Sequence, residues 1–339
     1  MKKLLYKGDA CIIESPSNLF YFTRYQSADA ILVFYKGKSY YFTDSRYFEE
    51  VSFMSPETEI LNVATFDDFI RDNSIKSASV ESSVNVKEYL RFQKVGIEEF
   101  FFIDEDVAKL RSIKDADEIE LMKKAQNITD NAFSAVLGDI KGGMTERELA
   151  SCLESHLFGL GGDGLAFDSI VAFGANTSKP HAHRGETVLE KGMAITMDFG
   201  AKFGGYSSDM TRTVFFGTPS DKILDTYKKV AEAQNLAINT VKAGMTGKEC
   251  DYVARGYFEK FGLDKYFIHS LGHSLGIDCH ENPNFSPRCE AVIEKGMTLS
   301  VEPGLYFAGE FGIRIEDVIY FSENGVINLT KSPKNIIIL

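Results

Sequence analysis

Val188-Leu-Glu-Lys-Gly-Met-Ala-Ile-Thr-Met-Asp198-Phe-Gly200 and Val292-Ile-Glu-Lys-Gly-Met-Thr-Leu-Ser-Val-Glu302-Pro-Gly304 are one phrase written twice. The offset of 104 residues carries Asp198 onto Glu302. A second pair lies upstream, where Gly143-Met-Thr-Glu-Arg-Glu148 recurs as Gly244-Met-Thr-Gly-Lys-Glu249. In both, a Thr followed three residues later by Glu is a helix-start signal, because the two side chains cap each other's backbone N–H groups. Each copy therefore reads as a helix, a capped helix and then apolar strands. A solenoid needs three or more repeats, so two copies predict an α+β domain with a pseudo-twofold arrangement. Such a domain brings equivalent carboxylates to one axis.

Outward from this repeat, the amino-terminal third has a different texture. Ala10–Glu14, Leu19–Thr23, Ala30–Tyr35, Ser39–Thr43 and Glu99–Ile103 are short runs rich in Ile, Val, Phe and Tyr, and read as strands of a small α/β unit. Arg111 to Glu118 is a charged connector. Asp115 and Glu118 resemble a capping box, and Ile119, Met122, Ala125, Ile128 and Ala132 follow at helical spacing. The expected domains are 1–112 and 113–339. A length of 339 residues with 44% hydrophobic composition suits two such cores. The net charge of −12 argues against nucleic-acid and anionic-membrane partners. Cys11, Cys152, Cys250, Cys279 and Cys289 are scattered and include no C-x-x-C pair, which excludes a disulfide framework and a cysteine zinc site. The first residues lack the apolar segment of a signal peptide, and no run reaches the ~20 apolar residues of a membrane span, so a cytoplasmic location is expected.

Four acids sit in apolar strand contexts. Asp198 ends Met193–Met197, Asp209 lies in Ser208-Asp-Met-Thr-Arg-Thr-Val214, Glu302 ends Thr298–Val301, and Glu316 lies in Gly312-Ile-Arg-Ile-Glu-Asp-Val318. Burying a carboxylate without a partner is costly. Partial exposure, or pairing with Arg212 and Arg314, would account for any one of them. Four acids placed by a repeat are better explained by a cation, and an oxygen-rich set favours hard divalent ions that share carboxylates. Histidines cluster in the same region, at His181, His183, His269, His273 and His280. The segment Gly272-His-Ser-Leu-Gly276 lets an imidazole approach closely and marks His273 as the nitrogen ligand, whereas His183 reads as a solvated loop residue. Gly159-Leu-Gly-Gly-Asp-Gly164 matches a dinucleotide fingerprint but follows a helix pattern instead of a strand, so it reads as a loop. Phe100–Phe102 reads as a core strand and Asn335–Leu339 as a final buried one.

These residues carry a family resemblance. Met197-Asp-Phe-Gly, Ser208-Asp-Met-Thr-Arg-Thr, Gly272-His-Ser-Leu-Gly, Val301-Glu-Pro-Gly and Gly312-Ile-Arg-Ile-Glu-Asp resemble the pita-bread metallopeptidases, the group of aminopeptidase P, prolidase and methionine aminopeptidase. Phe167-Asp-Ser-Ile-Val and Pro180-His181 match upstream motifs, while Asn18-Leu-Phe-Tyr-Phe-Thr-Arg and Thr43-Asp-Ser-Arg-Tyr47 resemble a creatinase-type amino-terminal domain. The resemblance implies two divalent ions, manganese first with cobalt or zinc as alternatives. Their ligands would be Asp198, Asp209, His273, Glu302 and Glu316, with Asp209 and Glu316 bridging. It further implies that Glu302 shuttles a proton, that His181, His269 and His280 surround the substrate, and that Arg314 orients a metal carboxylate. The expected activity is release of the residue before a penultimate proline, by a homodimer acting on peptides. The alternatives are a prolidase confined to Xaa-Pro dipeptides and a non-catalytic peptide-binding protein on the same fold; the complete ligand set disfavours the latter. In many archaeal-type prolidases an arginine follows the His-Glu-x-Pro element and suits a free carboxylate. Here His280-Glu-Asn-Pro283 is followed by Asn284, with Arg288 four residues on.

Overall fold

A computed structural model describes residues 4–25 and 30–339. Met1 to Lys3, the first of the residues read above against a signal peptide, lie outside the described residues. The chain divides into two compact units, Met1–Arg111 and Ser112–Leu339.

The first unit is built on a six-stranded mixed sheet. In spatial order its strands are Glu59–Asn62, Lys38–Thr43, Ile31–Tyr35, Ala10–Ile13, Ser77–Val80 and Glu99–Phe102. Ala10–Ile13 pairs antiparallel with Ile31–Tyr35 and parallel with Ser77–Val80, so it is central and buried on both faces. Its unbroken Ala-Cys-Ile-Ile run fits that position. Ile12, Val33, Phe42, Phe66, Ile70 and Phe92 form the core beneath.

Two expectations fail in this unit. Leu19–Thr23 lies in a helix, Pro16–Thr23, not a strand. Pro16 opens that helix without needing an N–H partner. The buried Glu81 carboxylate accepts from the backbone N–H groups of Glu14 and Ser15 and from the Ser15 and Asn18 side chains. This remote anchor overrides the strand preference of Phe-Tyr-Phe. Phe100–Phe102 forms an edge strand instead of a core one, and Phe102 is 74% exposed.

The second unit repeats one plan twice. Helix Ala116–Val136 starts at the Asp115–Glu118 capping box, and helix Glu146–Gly159 at the Thr145–Glu148 box. In the second copy helix Asp221–Thr240 is followed by Gly247–Glu259, with the Thr246–Glu249 box. The same backbone bonds then recur. Gly143 N–H donates to Leu189 and Leu189 to Met144, just as Gly244 donates to Ile293 and Ile293 to Met245. Strand Met193–Phe199 sits between Met210–Phe216 and Ile170–Phe173, all antiparallel. Its counterpart Thr298–Val301 pairs with Asp317–Ser322 in a five-stranded sheet. Helix residues such as Phe133, Leu149 and Leu153 bury against the first sheet, and Val230, Ala233 and Phe258 against the second. Each fully buried Leu or Phe contributes roughly 1.5–3 kcal/mol. Of the Gly159–Gly164 segment, Gly159 ends the second helix, residues 160–163 form the turn after it, and Gly164 opens strand Gly164–Leu165. The carboxyl terminus is not a buried strand. Residues 337–339 add to the Met210–Phe216 strand through bonds to Phe215 and Gly217, with Ile338 49% exposed. Among the described residues no helix is long and apolar enough to cross a membrane.

Candidate metal centre

The repeat places its acids at matched strand ends. Asp198 lies in Met193–Phe199, and Glu302 directly follows Thr298–Val301. Asp209 and Glu316 each directly precede the antiparallel partner strand, Met210–Phe216 and Asp317–Ser322. Two glycines allow the backbones to close on this point. A Cβ on Gly200 would come 2.0 Å from the Ser208 carbonyl oxygen, and one on Gly272 would come 2.0 Å from that of Ser300. Any side chain there would push apart the segments that carry Asp198, Asp209 and His273.

All five expected ligands line one cavity of about 330 Å³, together with His181, His269, His280, Asn284 and Arg314. Ligating atoms of Asp209, His273 and Glu316 lie within 4.8 Å of one another. His273 Nε2 is 3.6 Å from Asp209 Oδ2 and 3.4 Å from Glu302 Oε1. Its Nδ1 lies 3.2 Å from the Ser274 carbonyl oxygen. A carbonyl can only accept, so Nδ1 carries the proton and Nε2 presents a lone pair to the cavity. Burial lowers the His273 pKa, which keeps that lone pair free.

The carboxylates are held in a consistent way. Arg314 donates to Asp198 Oδ2 at 2.6 Å, Thr211 to Glu316 Oε2 at 2.7 Å, Cys279 to Asp209 Oδ2 at 3.1 Å, and Ser300 to Glu302 Oε1 at 3.2 Å. Asp198 Oδ1, Asp209 Oδ1 and Glu316 Oε1 are buried with no partner. Each of these three acids thus has one anchored oxygen and one unsatisfied oxygen. Four carboxylates face a single guanidinium, that of Arg314, and it is committed to Asp198. Arg212 does not help: it is on the opposite side of its strand and bonds Asp317 and the carbonyls of Glu316 and Ser332. Unsatisfied buried acceptors of this number fit hard divalent cations, which take oxygen ligands.

Electrostatics follow from this crowding. Burial first, then the neighbouring acids Asp198 and Glu302, raise the Asp209 carboxyl well above the usual range. Burial and Asp209 do the same to Glu316, and burial pushes Glu302 up to about 8. A carboxyl whose pKa is raised by folding contributes stability that is fully present below its ordinary value, 4.5 for Glu302, and is lost progressively as pH rises to the folded value. Histidines shifted downward act in the opposite sense, but only below their ordinary value of 6.5. We therefore expect the melting temperature of metal-free protein to fall between about pH 7 and about pH 8.5. Added Mn²⁺ should stabilise most at the upper end, because ligands bind as anions. Thermal melts with and without the ion check this; a flat metal-free profile would show these acids already ionised.

The predicted histidines divide by role. His181 and His280 are exposed at the mouth of the cavity. Loop 174–187, which carries His181, is tied down by buried Glu146, which accepts from Phe173, Asn176 and Gly185. His269 lines the cavity, but both its nitrogens are engaged, Nδ1 with the Ser270 carbonyl and Nε2 with the Tyr306 hydroxyl at 2.9 Å. Arg314 donates to the same hydroxyl at 2.8 Å. Tyr306, Thr211, Ser300 and Cys279 are the site residues that motif reading missed.

The comparisons with known proteins agree with this geometry. Residues 120–323 match the model of metallopeptidase family M24, and residues 6–113 match the creatinase/prolidase N-terminal domain. An Xaa-Pro dipeptidase of Pyrococcus furiosus is 34% identical over 97% of this chain and 95% of its own. The solved structure of an Xaa-Pro dipeptidase from Bacillus anthracis superposes with a TM-score of 0.95 at 36% identity, covering 98% of this chain and 95% of that one. An X-Pro aminopeptidase from Thermotoga maritima gives 0.92 at 34%, with 98% of each chain covered. With its ligand set and both domain matches in place, the chain belongs to metallopeptidase family M24 and carries a creatinase/prolidase amino-terminal domain.

Proposed function

We propose that this chain hydrolyses Xaa-Pro bonds with two divalent ions, and that its preferred substrate is the Xaa-Pro dipeptide. One observation carries the first part: five ligands converge on one cavity, and three of the four carboxylates there have a buried oxygen lacking a partner. Bound there, divalent ions would supply a Lewis acid for the scissile carbonyl and lower the pKa of an attacking water. The protein's own groups do the rest. Arg314, Thr211, Ser300 and Cys279 fix the carboxylates, and His273 offers Nε2. Glu302, the ligand acid with the most exposed side chain, accepts the proton of the water and returns it to the leaving nitrogen. A peptide nitrogen leaves only once it is protonated, and the proton taken from the water is the one delivered to the prolyl nitrogen. His181 and His280 can donate N–H groups to the substrate carbonyl. Manganese as the native ion and a homodimeric state belong to the proposal on family resemblance alone, and a cytoplasmic location belongs to it on the sequence expectation given above.

The dipeptide preference departs from the aminopeptidase expectation drawn from the sequence. It is supported by the two relatives named as Xaa-Pro dipeptidases over nearly their whole length. The second reading, aminopeptidase action, is favoured by Asn284. This residue lines the cavity, and its Oδ1 is buried without a partner. A bare acceptor suits the N–H of a residue after proline, whereas a free carboxylate has no donor to give it. Arg288 is exposed and is not among the residues lining the cavity. Hydrolysis of an Xaa-Pro dipeptide and the matching Xaa-Pro-Yaa tripeptide, both with Mn²⁺, decides between the readings. We expect kcat/KM to favour the dipeptide by about tenfold, ~1.4 kcal/mol in transition-state binding. Arg288→Ala should change it by less than about twofold, since surface charges contribute little. Tenfold preference for the tripeptide would establish the aminopeptidase, and binding without turnover of either would establish a non-catalytic protein.

A further inference from the structure

We propose that Cys279 is a positioning residue of the metal centre: its thiol donates to Asp209 Oδ2 and thereby fixes the orientation of that carboxylate beside His273 and Glu316. The inference rests on the metal reading of the cavity given above. Asp209 is 3% exposed, and Cys279 is the one hydrogen-bond donor it has among the described residues. The other ligand acids use hydroxyls or a guanidinium for the same task, so Cys279 completes a set of four oxygen anchors. Without it Asp209 would be a buried carboxylate with neither oxygen bonded, free to rotate away from Glu316 and His273.

The sulfur is held for this task. Glu281 Oε1 accepts from the backbone N–H of Ile277 at 3.1 Å and of Asp278 at 3.3 Å, and Glu281 Oε2 pairs with buried Lys114 at 3.1 Å. Gly276 N–H closes the turn on the Asp278 carbonyl. The loop from Leu275 to His280 is therefore fixed on both sides of Cys279, which is itself 7% exposed. The thiol is not placed as a ligand. The mutually close ligating atoms belong to Asp209, His273 and Glu316. Cys279 Sγ is not among them, and it meets Asp209 as a donor to Oδ2. A thiol is a weak donor, yet any donor in a buried site outweighs none, because the unmade bond is the expensive state.

Four substitutions separate donation from packing. Cys279→Ser and Cys279→Thr keep a donor, Cys279→Ala and Cys279→Val remove it, and Thr and Val share a shape. The full-length metal-free proteins are titrated with Mn²⁺ alone by calorimetry. We expect the Ser and Thr forms to bind within about threefold of the native protein. The Ala and Val forms should bind one ion about tenfold more weakly, ~1.4 kcal/mol. Grouping by size, Thr with Val and Ser with Ala, would overturn the proposal in favour of packing, and so would four native-like affinities. If one variant fails to fold, the remaining donor and non-donor forms still make the comparison. A sulfur-to-metal charge-transfer band in the cobalt-loaded native protein would also overturn it, by making Cys279 a ligand. A flat titration of the native protein would instead remove the metal reading on which the proposal stands.

Discussion

Asp209→Ala is expected to lower kcat/KM by at least about 10³-fold, equivalent to ~4 kcal/mol of transition-state stabilisation. It should also remove at least one of two bound ions. The acid sits where the site is most crowded: Oδ2 is 3.6 Å from His273 Nε2, Oδ1 is buried and unpartnered, and Asp198 and Glu302 press on it electrostatically. In the metal-free protein, however, this residue is a burden. Its removal takes away a buried carboxyl and the charge that, after burial, does most to raise the Glu316 carboxyl. The metal-free variant should therefore melt no lower than native, and the stabilisation by Mn²⁺ should shrink. That pairing of lost function with retained stability separates a ligand from a structural residue. Normal metal content and normal turnover would remove Asp209 from the centre altogether.

The same residues show what was legible in the sequence. A repeat that copies Asp198 onto Glu302 reveals the architecture because both copies obey one set of backbone bonds, visible as the Thr–Glu capping boxes at 145 and 246. Ligand identity was legible because metals select residue types that stand out in apolar strands. The anchors were hidden for a different reason. Thr211 reaches Glu316 across 105 residues, and Cys279 reaches Asp209 across 70, distances that no local spacing encodes. Ser300 was within reach, since residues i and i+2 share a strand face and Ser300 stands two before Glu302. The same alternation sends Arg212 away from the centre while Thr211 faces it. The Pro16–Thr23 helix was misread because its decisive anchor, Glu81, is 63 residues from Asn18, the helix residue it bonds.

Glu302→Gln should uncouple metal binding from proton transfer. Glu302 directly follows its strand, with a side chain 17% exposed and Oε1 held by the Ser300 hydroxyl while standing 3.4 Å from His273 Nε2. It is the ligand acid with the most exposed side chain, 17% against 12% for Asp198 and 5% for Asp209, which leaves it within reach of a water in the cavity. Glutamine has the same length and keeps an oxygen where Oε1 lies, but it cannot take a proton. We expect kcat to fall by about 10²–10⁴-fold, the usual contribution of a positioned acid–base group, with KM changed by less than about threefold. Two equivalents of ion should remain after dialysis. Loss of ions together with turnover would make Glu302 a ligand only, since the rate would then follow metal occupancy. Unchanged kcat with full metal loading would move proton transfer to another group, and of the remaining cavity residues His181 and His280 stand at the mouth with exposed rings. The amide variant thus distinguishes an acid that holds the ion from one that also carries the proton to the prolyl nitrogen, the step without which an Xaa-Pro bond stays closed.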